Sequence, residues 1–216
     1  MGLAASVAAC QAPGPGVFWP RMAGERPRSA ESVAMDRYAR GEAAAFAELY
    51  QALSPRLFRY LMRMSRDRAK AEDLLQQTFL RMHHARASFT EGSDVVPWSY
   101  AIARRLFIDS TRRHRREVLA SGDEAPGEEA ASELPDGEQL ARARQLSTAI
   151  AKELERLPSA HREAYQLVRE EGLSMAEAAA VLGTTVAAVK LRAHRAYDGL
   201  RVALQAAGLG PEGGGE

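Results

Sequence analysis

Between residues 117 and 138 the chain carries eight acidic side chains and no Lys or Arg. Gly, Pro, Ala and Ser fill the space between them, leaving too little apolar surface for the stretch to fold alone, so 117–139 is expected to be an acidic flexible linker. One continuous core is thereby excluded. Two small domains are expected on either side, at 31–116 and 140–207, with residues 1–30 as a disordered leader and 208–216 as a disordered tail. The net charge of +1 hides the same division: Lys and Arg outnumber Asp and Glu by 16 to 9 over residues 36–116 and by 10 to 7 over 139–207. Two basic blocks around an acidic one suggest separate surfaces, the basic ones suited to a polyanion.

Both flanks read as helical. Phe46, Leu49, Tyr50 and Leu53 recur at i, i+3, i+4 and i+7, and Ser54 with Pro55 looks like the start of a second helix carrying Leu57, Phe58, Leu61 and Met64 inward. A third helix is expected from about 67 to 87, with Leu74, Leu75, Phe79, Leu80 and Met82 beside the polar residues Glu72, Asp73, Gln76 and Gln77. Residues 89–97, FTEGSDVVP, read as a loop. Beyond it Trp98, Ile102 and Leu106 stack at four-residue intervals on a helix that continues into Arg104, Arg105, Arg112, Arg113, Arg115 and Arg116. Six arginines in thirteen residues, with Trp98, Tyr100 and Phe107 nearby, combine cations for phosphates with rings that can stack on unpaired bases. A solvated basic face over core aromatics is the plainer alternative.

After the acidic stretch, Leu140, Leu146, Ile150, Leu154 and Leu157 mark a helix ended by Pro158, and a further helix spans about 159–171. Residues 172–201 then form a distinctive pattern. Ser174 with Glu177 is a capping box, Gly183 supplies a chain reversal, and Thr184 or Thr185 caps a second helix. On that helix Val189, Ala193, Ala196, Tyr197, Leu200 and Leu204 share one side. Ala187, Leu191, His194, Arg195 and Asp198 face the other way, with Lys190 and Arg192 at the borders. A short alanine-rich helix, a glycine turn and a longer basic helix make a helix-turn-helix, or otherwise an ordinary helical hairpin.

Several function classes are excluded. No apolar run nears the roughly 18 residues of a membrane span, so no membrane insertion is expected. The lone Cys10 allows no intramolecular disulfide, and His83, His84, His114, His161 and His194 lack zinc-site spacing. No P-loop, nucleophile elbow or metal triad is present, which argues against an enzyme and against a cofactor or metal. A cytoplasmic location suits the sparse cysteine. The opening MGLAAS fits a myristoylation pattern and VAAC at 7–10 a lipoprotein cleavage site, both short patterns of low specificity. Translation starts at Met1, Met22 or Met35 are all open.

The pieces together resemble the extracytoplasmic-function (ECF) subfamily of bacterial RNA polymerase sigma factors. AEDLLQQTFLRM at 71–82 is similar to the family's core-binding helix and PWSYAIARRLFIDSTRR at 97–113 to its promoter-melting segment. LPSAHREAYQLVREEGLSMAEAAAVLGTTVAAVKLRAHRAYDGLR at 157–201 is similar to the family's second domain. The resemblance implies an all-α fold of sigma region 2, linker and sigma region 4, and a non-catalytic factor that directs core polymerase to promoters and helps melt them. By position, Glu72, Asp73, Gln76, Gln77 and Phe79 would contact the β′ coiled coil. The loop at 89–97, with Phe89, Trp98, Tyr100, Arg104, Arg105, Arg112, Arg113, Arg115 and Arg116, would capture a flipped base of the minus-ten element and hold the melted strand. Thr184, Thr185, Lys190, Leu191, Arg192, His194 and Arg195 would read the minus-thirty-five duplex.

Three departures from the family bear on specificity. Gln77 stands where Glu is usual, Arg105 where Asn is common, and Ala187, Ala188 and Leu191 replace Gly, Thr and Ser, which points to altered base preference and to Leu191 packing on a thymine methyl. The implied partners are core polymerase through its β′ coiled coil and β subunit, promoter DNA as duplex and as melted single strand, and an anti-sigma factor. A stand-alone helix-turn-helix regulator would account for 172–201 alone. A helical interaction protein without nucleic acid would leave the basic blocks unexplained.

Overall fold

The computed structural model describes residues 28–121 and 138–206. All regular structure among them is helical, as the sequence predicts: α1 Ala30–Ala39, α2 Ala45–Ser65, α3 Arg68–Ala85, α4 Val95–Ser121, α5 Glu138–Arg156, α6 Ser159–Tyr165, α7 Met175–Leu182 and α8 Val186–Ala206. A 3-10 turn at Arg86–Ser88 follows α3, and α6 runs into a π-turn at Gln166–Glu170. The described residues divide into two compact units, 28–61 with 68–116 and 62–67 with 117–121 and 138–206. The expected leader before residue 28, with Cys10, the VAAC and MGLAAS patterns and the Met1 and Met22 starts, lies outside the described residues. So do the acidic stretch at 122–137 and the tail beyond 206.

In the first unit α2 supplies the central face, with Leu49, Leu53, Leu57, Tyr60 and Leu61 inaccessible to solvent. The helix expected to begin at Ser54 and Pro55 is instead the middle of this element. An interior proline costs about 3 kcal/mol. Leu53 and Leu57, one on each side of it, each recover about 1.5–3 kcal/mol by burial, so packing overrides the local break. From α3, Leu74, Thr78 and Met82 face the same core, and Thr78 Oγ1 donates to the Leu74 carbonyl at 2.7 Å.

α1 is missing from the sequence reading, which places the onset of order between residues 31 and 36. The helix begins at Ala30 because Ser29 caps it, its Oγ accepting the Ser32 amide at 3.3 Å. Arg37 ties the end of α1 to the start of α2, donating to Glu42 at 2.9 Å and Glu48 at 2.8 Å. Hydrogen bonding from Arg37 also holds the Glu42 carboxyl below its ordinary range.

The expected loop at 89–97 is shorter than predicted. α4 starts at Val95, where the Asp94 carboxylate accepts the Val96 amide at 2.9 Å, and Pro97 falls in the first turn, where no donor is required. At its far end α4 extends to Ser121, past the linker boundary expected at 117. Extending an existing helix adds one hydrogen bond per residue without a new nucleus.

In the second unit α5, α6 and α7 pack on α8, which buries Val189, Ala193, Ala196 and Leu200. Gly199 permits the close approach of Leu157, just past the end of α5, since a Cβ there would stand 3.3 Å from Leu157 Cδ2. Both halves of the predicted capping box form: Glu177 N–H donates to Ser174 Oγ at 3.2 Å and Ser174 N–H to Glu177 Oε2 at 2.6 Å. Gly183 ends α7 at a φ of 63°, and Thr185 is the cap of α8, its Oγ1 accepting the Ala188 amide at 3.2 Å. Gly183→Ala should therefore lower stability by about 1–2 kcal/mol through left-handed strain, although nothing lies within 4 Å of the added Cβ. Urea unfolding of the full chain measures this.

Candidate functional site

Three exposed surfaces carry the predicted site residues. On α3, Glu72, Asp73 and Gln76 are exposed and Gln77 is half-buried. Gln77 Nε2 donates to Asp73 Oδ2 at 2.7 Å and Arg68 pairs with Glu72 at 2.9 Å, so the polar groups brace one another along the helix. Phe79 does not belong to this surface. It is 5% exposed, with its ring 4.6 Å from Tyr50, and so backs the polar face from inside.

Two residues missed by the sequence reading lie beside that face. Leu80 and Tyr50, both read among the apolar residues of their helices, are 58% and 44% exposed. A signal for Leu80 was present: it stands four residues after Gln76 and seven after Asp73, which is one helical stripe. For Tyr50 there was none, because its ring leaves its own helix to cover Phe79.

The second surface runs along α4. Its first turns are buried on all sides, with Trp98 at 6% exposure and Tyr100 at 0%. Trp98 packs 5.1 Å from the half-buried Phe89 ring and Tyr100 meets Tyr60 edge-on at 5.2 Å. As packed here, neither ring presents a face to solvent. Core packing claims both because 95–100 is where α4 enters the interior. Downstream the environment reverses: Arg105, Arg112, Arg113, Arg115 and Arg116 are exposed, and Arg104 is half-buried. Helix geometry spreads these cations over successive turns beyond the core.

The third surface is the outer side of α8. Lys190, His194 and Arg195 are exposed, Leu191 is 50% exposed, and Arg192 is half-buried. Thr185 is exposed at the helix start and Thr184 half-buried behind it. His194 Nε2 lies 3.2 Å from Asp198. Tyr197, expected in the core, is 49% exposed and is covered on one side by the Arg169 guanidinium, 5.7 Å from its ring centre.

Among the described residues no three His, Cys, Asp or Glu side chains converge as a metal site, and no helix is long and apolar enough to cross a membrane. What the three surfaces have in common is polar or cationic display over a packed core.

Comparison with known proteins defines the class. The Sigma-70 region 2 family model matches residues 49–117 and the Sigma-70 region 4 model residues 147–198. RNA polymerase sigma factor CarQ of Myxococcus xanthus is 38% identical over 167 residues, spanning 77% of this chain and 93% of the relative. ECF RNA polymerase sigma factor SigL of Mycobacterium tuberculosis is 35% identical over 173 residues, spanning 79% and 95%. Among solved structures, sigma factor RpoE in complex with the anti-sigma factor NepR from Bartonella quintana superposes with a TM-score of 0.62 at 27% identity, covering 74% of this chain and 96% of that one. CnrH in complex with the cytosolic domain of CnrY gives 0.60 at 25% identity, covering 82% and 99%. The chain belongs to the ECF subfamily of RNA polymerase sigma factors.

The buried rings and the exposed arginines should separate by mutation. Trp98→Ala is expected to cost about 3–5 kcal/mol of stability, whereas Arg113→Ala stays within about 0.5 kcal/mol. Denaturant unfolding of each full-length variant checks both.

Proposed function

We propose that this sigma factor divides its work among the three surfaces. The α3 face of Glu72, Asp73, Gln76 and Gln77, with Leu80 and Tyr50 at its edge, docks on the β′ coiled coil of core polymerase. Segment 89–94 captures a base flipped from the minus-ten element, at a cost of a few kcal/mol that pocket contacts recover. Arg105, Arg112, Arg113, Arg115 and Arg116 hold phosphates beside it, and the exposed side of α8 reads the minus-thirty-five duplex. In domain terms, 31–116 acts as region 2 and 140–207 as region 4, joined by the acidic linker at 117–139. The chain contributes no bond-making chemistry; the polymerase transfers phosphoryl groups, and the factor works beside it in the cytoplasm.

The observation that carries this reading is the order of the two matched regions, each ending in a helix whose exposed side is basic. Short polar side chains at i, i+3 and i+4 on α3 support the docking role, since they give a fixed array of hydrogen-bonding groups. The RpoE structure with its anti-sigma factor NepR supports an anti-sigma partner for this chain as well.

Run-off transcription with purified core polymerase tests the whole: the factor should bind core and direct initiation from its promoters. Binding to duplex DNA without core binding or initiation would instead fit a stand-alone regulator. At the residue level, Asp73→Ala with Gln76→Ala should weaken core affinity about tenfold or more while circular dichroism stays unchanged. For the arginines, Arg112→Ala and Arg113→Ala should each reduce the salt slope of holoenzyme binding to promoter DNA by about 0.7–0.9.

A further inference from the structure

α1 buries two polar side chains, Ser32 at 2% exposure and Asp36 at 4%, where apolar residues would fill the same space without desolvation cost. Both direct their hydrogen bonds at a distant segment. Ser32 Oγ donates to Asp94 Oδ1 at 3.1 Å and accepts the Val95 amide at 3.1 Å. With its proton committed to Asp94, it receives Ser29 Oγ as a second donor at 2.9 Å. One turn along α1, Asp36 Oδ1 accepts the Gly92 amide at 3.3 Å, and its other oxygen accepts Arg28 Nη2 at 2.6 Å.

Asp94 in turn caps α4 through the Val96 amide. Gly92 has a φ of 84°, so the segment changes direction at the residue that Asp36 holds. Two hydroxyl and carboxylate groups on α1 thus fix the backbone at both ends of residues 92–95. These bonds add to the Ser93 amide's bond to the Thr90 carbonyl at 3.0 Å and the Arg40–Glu91 ion pair at 2.8 Å, in a loop with few residues and little apolar content to hold its shape.

We infer that Ser32 and Asp36 are positioning residues for base capture: they hold segment 92–95 in a single conformation and so set how sharply the loop discriminates among bases. The inference rests on the assignment of 89–94 as the capturing loop. A preorganised pocket rejects a wrong base because its polar groups cannot shift to meet it. Released from α1, the loop adapts and accepts more bases.

The test uses holoenzyme and single-stranded minus-ten oligonucleotides that differ by one base at each position in turn. Wild type should prefer one base at the captured position. Ser32→Ala, which removes both bonds to 94–95, should reduce that preference about tenfold, with core affinity unchanged. Ser32→Thr, which retains the hydroxyl, should restore it. Unchanged preference in Ser32→Ala, accompanied only by a lower melting temperature, overturns the inference. Where Ser32→Ala fails to bind core, Asp36→Ala, which removes the acceptor of the Gly92 amide, takes its place under the same two outcomes. Phe89→Ala and Thr90→Ala separate the two levels. If they leave base preference intact, the loop is not the reader and its proposed function fails; if they alter it while the α1 variants do not, only the positioning role fails.

Discussion

The direction of α4 depends on the burial of Trp98 and Tyr100. Those rings lock the first turns of a helix of 27 residues, whose length at about 1.5 Å per residue is near 40 Å. Everything attached to that rod takes its position from the locked end. The loop at 89–94 leads into it, and the arginines from 105 onward stand out from the core on it. A helix can serve this way because its backbone hydrogen bonds are satisfied internally, so the exposed half needs no packing partner to keep its course. Core and cations are arranged in series along one element.

The α2–α3 pair follows a related logic sideways. Phe79 on α3 packs against the ring of Tyr50 on α2, joining the two helices there. Outside it Gln77 and Asp73 are bonded to each other, which leaves these two side chains little rotamer freedom to lose in the docking proposed above. The proline inside α2 belongs in the same account. Its ring is exposed, while Leu53 and Leu57 on the opposite side are buried, so a local defect is tolerated where the core does not feel it.

The sequence made the helix-turn-helix legible almost residue by residue, because its signals are local. A capping box, a left-handed glycine and an N-cap threonine each act within four residues, and the structure realises all three. The all-α class and the family were legible for similar reasons of pattern. What was not legible depended on distant partners. α1 shows weak periodicity because its buried face includes Ser32 and Asp36, whose bonds run to residues 92–95. Pro55 read as a helix start because only the opposing core reveals that α2 continues through it. Trp98 and Tyr100 read as base-stacking rings beside arginines, and nothing in their spacing distinguishes a ring facing a base from one facing Tyr60 or Phe89. Leu80 was the avoidable error, since its stripe on α3 was already polar.

On α8 the residues that hold the domain together and the residues that face outward form two separate sets. Val189, Ala193, Ala196 and Leu200 are buried, while Lys190, Leu191, His194 and Arg195 are not. Changes in the second set leave the first untouched. If the outward side reads promoter DNA, as proposed above, substitutions there change DNA preference without touching the residues that hold the domain together. Selection on that preference is then uncoupled from selection on stability.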